Sequence, residues 1–516
     1  MLTSPSVLHE IINRALADPS HPAATDLDRE LSYAELIDES ARLATGLNDH
    51  GVNEGDRVAL LIPNSVDFIV AALASLWVGA IFVPLAITDP PSRLETIVAD
   101  CTPALVITSA RDGQKPPISL GGVQPVPLQE LREECRAPAP ESNDSSSVAY
   151  MIYTSGTTGS PKGVQISNAA FAAAVRSIAD ALGMTRTTRT LCVSPFHFDG
   201  SYANLFPTLV VGGTVIVRPR EALLFPRTFF NTVEQEKITY SGFTPSYLRV
   251  LLASPQVSNL SNSTLEMIAL GGEAISVTDL RAFWTRLPSI RVFNRYGPTE
   301  TTIAVTNVEL TPNMIEGGTV TFGRPHPGVS FVLVDEHERV IEAAYQTGEL
   351  YIGGDQLMDG YWANPELTSH VMRSDLVPDV KLYRSGDLAY RDEDGNYVYV
   401  DRTDRVVKRS GVRISLVELS ASMNKIDDVA AVACLTFDRD GELGIVAFVI
   451  SEVEFSAIEA RRAARQLIPE NMLPDRIEFV TSMPLNTSNQ LDEPRLLAAA
   501  GLRPFQPITA QSSVPT

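Results

Sequence analysis

The chain contains little cysteine, and its arrangement points to neither disulfides nor zinc. Four cysteines (Cys101, Cys135, Cys192 and Cys434) are scattered over 516 residues, with no CxxC pair and no histidine nearby at metal-ligand spacing. Secreted proteins use dense cysteine frameworks, whereas reducing compartments keep thiols free. The pattern therefore predicts a cytoplasmic protein without a disulfide framework.

Positive charge is also scarce. The chain has 41 lysines and arginines against 62 aspartates and glutamates, a net charge of −21. Nucleic acids and anionic membranes attract basic surfaces. We therefore expect neither as a main partner. Phosphorylated small molecules are compatible with this charge, because a few local groups suffice to bind them.

An unbroken apolar run long enough for a membrane span is missing as well. The run from Phe68 to Ala86 has the length, but Gly79 and Pro84 interrupt it. A buried helix followed by a buried strand accounts for it better. The N-terminal stretch "MLTSPSVLHEIINRAL" has no basic region followed by an apolar one, so we expect no signal peptide.

What the chain does contain is alternating strands and helices, at a length that suggests two to four domains. Residues 58–108 show a βαβαβ pattern with strands that are apolar on both faces, which predicts a covered parallel sheet. A Pro/Ser-rich loop at 137–147 follows. The alternation resumes at "VAYMIYT" from residue 148, which predicts a second parallel sheet.

The remaining third of the chain changes character. Residues 318–400 shorten to strands and turns, which indicates a small β-rich lobe. Residues 405–500 indicate a compact α+β unit with strands near 429–435 and 444–450. The predicted fold class is therefore α/β: two parallel-sheet lobes and a β-rich lobe, followed by a small α+β domain. The tail from 501 to 516 is rich in Pro, Ser, Thr and Gln and is predicted to be disordered.

The sharpest local signal is "YTSGTTGSPKGV", Tyr153–Val164. A loop of Gly, Ser and Thr after a strand presents backbone N–H groups and hydroxyls with little bulk, which suits a phosphate cradle. Lys162 would add positive charge. The spacing does not fit a Walker A loop. A flexible surface turn is the alternative interpretation.

This string resembles the phosphate loop of the adenylate-forming superfamily, which includes acyl-CoA synthetases, luciferases and adenylation domains of nonribosomal peptide synthetases. "NRYGPTETT" (Asn294–Thr302) resembles the family's adenine and magnesium motif. Gly348–Trp362 and Tyr383–Gly395 resemble the next two motifs, and Asp401–Ser420 resembles the hinge. Five motifs in the family's order cover the chain to about residue 500.

The resemblance implies ATP and Mg²⁺ as cofactors and two domains, an adenylation core at 1–403 and a mobile C-terminal domain at 404–500. It implies catalytic roles for Thr154, Lys162, Glu300 and the residue at position 490, with Glu300 as the metal ligand. Tyr296 offers a ring for adenine, and Asp387 and Arg402 offer polar groups for ribose. The implied nucleotide-binding set is Thr154, Ser155, Gly156, Thr157, Thr158, Gly159, Lys162, Gly271, Gly272, Glu273, Asn294, Tyr296, Gly297, Thr299, Asp387 and Arg402.

The implied reaction has two halves. A carboxylate attacks the α-phosphate of ATP to give an acyl-adenylate and pyrophosphate, and a thiol then attacks the adenylate. In the family the C-terminal domain rotates between the halves. Asp404 matches the hinge residue, and Gly411 matches the position where a pantetheine arm passes, which a glycine permits.

The stretch "FHFDGSYANLF" bears on which acid is activated. Phe198–Ser201 resembles the FDxS motif, in which amino-acid-activating members pair an aspartate with the substrate ammonium. A buried carboxylate needs such a partner, so Asp199 is the predicted amine ligand. The alternative is that Asp199 caps the helix that begins near Ser201. By resemblance the rest of the pocket comprises Gly200, Ala203, Gly242, Ile268, Leu270, Arg295, Ile303 and Ala304.

Arg295 is the exception in this small, apolar set. A guanidinium there would pair bidentately with a second substrate carboxylate, which predicts an acidic amino acid such as an aspartate-like or β-amino acid. The alternative is that Arg295 turns away to a carboxylate of the protein itself. The residues alone leave the two readings equal.

The loop "PLNTSNQLD" near the C-terminus departs from the family. Its counterpart carries a lysine that bridges the substrate carboxylate and the α-phosphate, but this chain has Gln490. Loss of one charge-assisted contact costs about 2–4 kcal/mol, or roughly 10²–10³ in rate. We therefore expect slow adenylation.

The favoured function is a stand-alone enzyme that adenylates an amino acid and loads it onto a separate carrier protein bearing a phosphopantetheine arm. No carrier-protein serine motif follows the C-terminal domain. The alternatives are an acid–CoA ligase, which generally lacks the aspartate at position 199, and a catalytically impaired relative that binds without turnover.

Overall fold

The computed structural model describes residues 6–109, 120, 122–133, 146–154, 161–403, 406–451, 453, 456–484 and 491–505. The chain divides into two compact units. The first comprises Met1–Ile87, Val98–Ile152 and Gly163–Val400, and the second comprises Thr88–Ile97, Tyr153–Lys162 and Asp401–Thr516.

The first sheet is built on the predicted βαβαβ segment. Arg57–Leu61 pairs in parallel with Ile81–Pro84 on one side and with Leu105–Thr108 on the other. Their residues are almost all buried, as expected for strands covered on both faces. In order the strands are Gly360–Tyr361, Lys162–Ser167, Val148–Thr154, Ile81–Pro84, Arg57–Leu61, Leu105–Thr108 and Val126–Pro127.

The strand order corrects one prediction. "VAYMIYT" does not begin the second sheet, because Val148–Thr154 lies beside Ile81–Pro84 in the first sheet, with Phe82 opposite Tyr150. The local pattern identifies a buried strand but not its neighbours. The boundary between the two sheets therefore does not lie at the Pro/Ser-rich loop.

The second sheet carries most of the predicted substrate pocket. Its central strands are parallel, and an antiparallel strand closes each edge. Two edge strands near the N-terminus join it, which the sequence pattern did not reveal. In order the strands are Thr306–Leu310, Arg291–Tyr296, Met267–Gly271, Tyr240–Phe243, Arg189–Cys192, Thr214–Val217, Pro22–Thr25 and Glu30–Ser32.

The predicted β-rich lobe is an antiparallel sheet. Its strands in order are Thr321–Gly323, Tyr397–Arg402, Leu382–Arg391, Gly348–Gly354 and Val329–Val334, with Met372–Arg373 paired to Leu382–Arg391. This lobe brings the family-like motifs at Gly348–Trp362 and Tyr383–Gly395 next to each other along neighbouring strands. With the two parallel-sheet lobes it confirms the α/β fold class.

Helices cover the sheets, and several begin at a serine whose hydroxyl accepts a backbone N–H. Ser65 does so for Val66–Trp77, every residue of which is buried. The strand Ile81–Pro84 follows, so the apolar run at 68–86 is a buried helix and strand, as predicted. None of the described helices combines the length and hydropathy that a membrane span requires. Among the described residues, the other α-helices of seven or more residues outside the C-terminal segment are Val7–Ala17, Tyr33–Asp49, Pro91–Cys101, Asn168–Leu182, Tyr202–Val210, Pro226–Gln235, Pro245–Leu252, Val277–Arg286 and Pro365–Val371.

The C-terminal segment of the second unit has the predicted α+β character. Strands Val429–Arg439 and Glu442–Ser451 form a long hairpin, and Arg476–Phe479 pairs in parallel with the second of them. A short hairpin precedes them. Its strands are Val406–Arg409 and Val412–Ser415, and the helices of this segment are Leu416–Met423, Ala457–Ala464 and Glu493–Ala499.

Candidate active site

Asp199 lies in a short 3-10 turn, Asp199–Ser201, that leads into the helix Tyr202–Val210. Its Oδ2 atom is buried and has no hydrogen-bond partner among the described residues. Burial raises the pKa of Asp199 to about 6, and nearby Glu300 acts in the same direction, against lowering hydrogen bonds from Thr299, Gly200 and Ile303. The described helix start carries no side-chain cap from Asp199. The capping alternative is therefore not what the structure shows.

The backbone beside Asp199 is strained. Thr302 and Ile303 have φ values of 58° and 67°, in the left-handed region that a β-branched residue rarely adopts. The Thr302 hydroxyl donates to the backbone oxygen of Gln356 at 2.7 Å, and both residues are buried. The turn directs the backbone of Ile303 toward the Asp199 carboxylate. Such strain persists only where the surroundings determine it, and it is common at functional sites.

Arg295 is the penultimate residue of the strand Arg291–Tyr296 and is buried. Its Nε donates to Asn307 Oδ1 at 3.0 Å, and its Nη2 donates to the Tyr240 hydroxyl at 2.5 Å. Within the described part of the chain, no carboxylate lies within 4 Å of this guanidinium, and Nη1 makes no hydrogen bond. The alternative in which Arg295 turns to a protein carboxylate is therefore not observed.

The hydrogen bonds continue on both sides of Arg295. On one side, the Tyr240 hydroxyl donates to Asn204 Oδ1 at 2.9 Å, and Asn204 Nδ2 donates to the Gly242 carbonyl at 2.9 Å. A Cβ at position 242 would lie 2.3 Å from Asn204 Oδ1 and 2.9 Å from the Tyr240 hydroxyl. Only glycine at position 242 leaves room for the hydrogen bonds that link Arg295, Tyr240 and Asn204.

On the other side, Asn307 contacts His326 Nε2 at 3.1 Å, and His326 Nδ1 contacts Gln356 Oε1 at 3.3 Å. Gln356 Nε2 then donates to the Ala304 carbonyl at 2.7 Å. Burial, together with the charge of Arg295, lowers the pKa of His326 to about 4, although the hydrogen bond to Gln356 acts in the opposite direction. His326 is therefore neutral at pH 7, and Arg295 supplies the positive charge of this chain of bonds.

Two predicted pocket residues lie on the face of the sheet opposite Arg295. Ile268 and Leu270 pack into the apolar cluster that contains Leu248 and Phe283. Side chains alternate along a strand, and register pairs Gly242 with Ala269 and Gly271 with Arg295. Ala269 and Gly271 therefore share the face of Arg295, whereas Ile268 and Leu270 lie on the opposite face, and their place in the substrate pocket stays a prediction.

Three other predicted pocket residues lie in the buried core of the first unit. Ala203, Ile303 and Ala304 belong to one buried cluster on the Arg295 side of the second sheet. A Cβ on Gly297 would lie 2.5 Å from the Ala304 Cα, so the chain passes closely there. Gly200 follows Asp199 directly in the 3-10 turn.

The predicted nucleotide residues of the first unit form a second group. The Tyr296 hydroxyl donates to Asp387 Oδ2 at 2.5 Å, and both residues are buried. Phe322 packs against the Tyr296 ring with centroids 4.4 Å apart. Asn294 Nδ2 donates to the Thr321 carbonyl at 2.8 Å. These contacts hold Tyr296 and Asp387 in a defined relation without any ligand.

Glu300, the predicted metal ligand, is fully buried. Its Oε1 accepts a hydrogen bond from the Tyr361 hydroxyl at 2.9 Å. No group of three or more potential metal ligands occurs in the described residues. A single oriented carboxylate still suits Mg²⁺, which binds proteins through one or two carboxylates and takes its other ligands from phosphate oxygens and water.

The "GGE" stretch has a structural task in this fold. Glu273 accepts from the Ser246 backbone N–H at 2.9 Å, which caps the start of the helix Pro245–Leu252. Gly272 has φ 83°, and a Cβ on Gly271 would lie 3.0 Å from the Arg295 carbonyl. These contacts explain two glycines and an acid here without requiring a nucleotide.

In the second unit, the Thr154 hydroxyl oxygen is buried without a hydrogen-bond partner among the described residues. Lys162 begins the strand Lys162–Ser167, and Arg402 ends the strand Tyr397–Arg402. Gly411 has φ 77° in the tight turn between Val406–Arg409 and Val412–Ser415, so the turn itself favours glycine. Ser155, Gly156, Thr157, Thr158, Gly159, Asp404, Gln490 and residues 506–516 lie outside the described residues.

Comparison with known proteins defines the class. The family model "AMP-binding enzyme" matches residues 12–362, more than half of the chain. Together with the fold this identifies an adenylate-forming, ATP-dependent ligase. The chain belongs to the AMP-binding enzyme family, with relatives of the nonribosomal peptide synthetase adenylation type.

Among these relatives, syringomycin synthase SyrB1 of Pseudomonas syringae pv. syringae is 33% identical over 96% of this chain and 82% of its own length. Surfactin synthase subunit 1 of Bacillus subtilis (strain 168) is 31% identical over 93% of this chain, which spans 13% of that protein. The structure of holo-PA1221, which contains adenylation and PCP domains, shares the fold with TM-score 0.83 at 24% identity, over 96% of this chain and 84% of its own.

Proposed function

We propose that this enzyme activates an amino acid carrying a second carboxylate. ATP converts one carboxylate to an aminoacyl-adenylate with release of pyrophosphate, and the aminoacyl group then passes to the phosphopantetheine thiol of a carrier protein with release of AMP. One observation carries the proposal. A buried acid oxygen and a buried cation in the first unit, each without an oppositely charged partner among the described residues, both connect through hydrogen bonds to the turn at Thr302–Ala304.

The amine end rests on Asp199. A buried carboxylate oxygen without a partner is costly, and removal of that cost requires a cation or a donor. The substrate ammonium group supplies both, because it is positively charged and its N–H groups donate hydrogen bonds. Hydrogen bonds from Thr299 and from the backbone of Gly200 and Ile303 orient the carboxylate, while its Oδ2 is left for the ligand.

The acid end rests on Arg295. A guanidinium has five N–H donors, and two of them are used by neutral partners, Asn307 and Tyr240. Nη1 and the second hydrogen of Nη2 lie on one edge of the guanidinium, which matches the two oxygens of a carboxylate. Since His326 is neutral, the pocket has a net positive charge at this end. A substrate with a neutral side chain would leave this positive charge uncompensated.

The nucleotide end of the site rests on Tyr296, Asp387 and Glu300. The two carboxylates accept hydrogen bonds from the hydroxyls of Tyr296 and Tyr361. Tyr296 and Asp387 would bind adenosine, and Glu300 would bind Mg²⁺, which when bound neutralises charge on the ATP phosphates. In the second unit, the Thr154 hydroxyl is buried without a hydrogen-bond partner among the described residues, and its proposed role on an ATP phosphate rests on the family resemblance. The proposed roles of Ser155–Gly159, Lys162 and Arg402 on ATP, of Asp404 as hinge, and of Gly411 beside the pantetheine arm rest on the family resemblance.

ATP–pyrophosphate exchange with a panel of α-, β- and dicarboxylic amino acids tests the first half. Aspartate-like acids should be the preferred substrates, and a signal from neutral amino acids alone would refute the acidic substrate. Thioester formation with holo-carrier protein against free coenzyme A tests the second half. Transfer to coenzyme A alone would support an acid–CoA ligase, and ATP binding without turnover would support an impaired relative.

A further inference from the structure

We propose that Gln356 is a positioning residue that couples the amine end of the pocket to the Arg295 end. It lies in "GGDQLMDGYW", between the strand Gly348–Gly354 and Gly360, and is 2% exposed. The inference rests on the proposed function, because it concerns how the two ends recognise one substrate. Gln356 is not itself proposed to contact the substrate.

The first arm runs from Gln356 to the strained turn. Its Nε2 donates to the carbonyls of Ala304 and Thr302 at 2.7 and 3.3 Å, and its backbone oxygen accepts from the Thr302 hydroxyl at 2.7 Å. Ile303 lies between these two residues, in the conformation that directs its backbone to Asp199. Gln356 therefore stabilises the turn through these three hydrogen bonds, two from its side chain and one to its backbone oxygen.

The second arm runs from Gln356 to Arg295 through His326 and Asn307. Arginine only donates hydrogen bonds, so Asn307 must present its Oδ1 to Arg295 Nε and its Nδ2 to His326 Nε2. His326 Nε2 then accepts, and the ring proton is on Nδ1. Nδ1 donates to Gln356 Oε1.

The two arms require the same orientation of the Gln356 amide. The carbonyls of Ala304 and Thr302 can only accept, so Nε2 must face them. That places Oε1 toward His326, which is the orientation the second arm demands. The direction of every hydrogen bond from Arg295 to Ala304 is thus fixed, because the guanidinium at one end can only donate and the backbone carbonyls at the other end can only accept. A change at Gln356 therefore reaches both ends of the pocket.

Two substitutions separate the arms. His326→Phe removes only the link toward Arg295, whereas Gln356→Met removes the side-chain links to both ends at similar volume. Asn168→Leu is the matched control, because Asn168 is also a buried amide but bonds to Ser147 away from the pocket. Each purified full-length variant is assayed by ATP–pyrophosphate exchange with an aspartate-like acid and with its monoamide, and its melting temperature is recorded.

For His326→Phe we expect the preference for the dicarboxylic substrate to fall about 10- to 100-fold, with the monoamide little changed, as for other displaced binding groups. For Gln356→Met we expect the same loss of preference and, in addition, about a tenfold rise in KM for the monoamide. The KM for ATP should stay within about twofold in both variants, since the arms do not include Tyr296 or Asp387.

If Gln356→Met lowers only the melting temperature, which is the result expected for the control Asn168→Leu, the coupling role of Gln356 is refuted. The proposed function of the enzyme would still stand. If it does not fold, Gln356→Glu decides, because its carboxylate can accept from His326 but cannot donate to the turn. It should keep the dicarboxylic preference and raise KM for both substrates, and an unchanged KM refutes the inference. A wild-type enzyme without dicarboxylic preference refutes the proposed substrate and the Arg295 arm together.

Discussion

The two ends of the first unit's site differ in how their charged groups are satisfied. At the nucleotide end, Asp387 and Glu300 accept hydrogen bonds from Tyr296 and Tyr361 at 2.5 and 2.9 Å. In the amino acid pocket, Asp199 Oδ2 has no partner among the described residues, and Arg295 has only neutral ones.

This difference matches the tasks of the two ends. ATP is the same in every turnover, and a preorganised surface binds it with little rearrangement. Selection of one acid requires groups whose desolvation is compensated only by the correct ligand, because analogues then leave buried charge unpaired. Substitutions in the amino acid pocket are therefore expected to change the kinetic constants more than substitutions at the nucleotide end.

The largest effect is expected from Asp199→Asn. Loss of one partner of a buried charge pair costs about 2–5 kcal/mol, so kcat/KM for the amino acid should fall about 10²- to 10³-fold. The KM for ATP should change little. Exchange assays with both substrates varied would measure this, and an equal effect on ATP would remove the contrast between the two ends.

The same variant makes a stability prediction with a definite sign. The pKa of Asp199 is raised to about 6 in the folded protein, so its protonated form is favoured there and stability is lost as pH rises between about 4 and 6. Above pH 6 the ligand-free Asp199→Asn protein should be more stable than wild type, by about 1–3 kcal/mol. The advantage should vanish below pH 4 in thermal or urea unfolding.

A sequence-based prediction of similar size concerns Gln490, which lies outside the described residues. If the first half-reaction lacks a charge-assisted contact, Gln490→Lys should accelerate adenylation about 10²- to 10³-fold. Thioester formation from preformed adenylate should change less, which single-turnover assays would show. An equal or lower adenylation rate in the variant would contradict the prediction.

Arg295→Ala should reduce kcat/KM for a dicarboxylic amino acid about 100-fold and spare its monoamide, since only the former needs the guanidinium. Gly242→Ala should produce a milder form of the same loss, because its methyl group would displace Asn204 and, through Tyr240, the guanidinium. A uniform loss on both substrates would indicate general damage to the pocket.

The smallest effect is expected at the nucleotide end. Tyr296→Phe removes the hydrogen bond to Asp387 but keeps the ring, so KM for ATP should rise about 5- to 10-fold, equivalent to about 1–1.5 kcal/mol. The KM for the amino acid should stay constant. A large effect on amino acid selectivity would show that the two ends are not independent.

Local patterns predicted the strands and the buried run at 68–86, because each depends on neighbouring residues. They did not predict which sheet Val148–Thr154 joins, since strand order depends on distant segments. The family resemblance, not the local pattern, singled out Asp199. It also named Ile268 and Leu270, whose side chains lie on the sheet face opposite Arg295, because neighbouring residues of a strand point to opposite faces.

The polar chain beside Arg295 was also missed. Asn204, Tyr240, Asn307, His326 and Gln356 are separated by up to 152 positions, and nothing in their local sequence marks them as partners. A buried arginine next to a pocket was the available signal, because such a cation must have donors satisfied somewhere. The identity of its partners required the fold.

The most direct test of the account is ATP–pyrophosphate exchange by the wild-type enzyme with aspartate, asparagine and succinate at equal concentrations. Aspartate presents both the ammonium for Asp199 and the second carboxylate for Arg295, whereas asparagine lacks the second carboxylate and succinate lacks the ammonium. We expect exchange with aspartate to exceed exchange with either analogue by about 100-fold. Equal or greater exchange with the monoamide or the deamino analogue would contradict it.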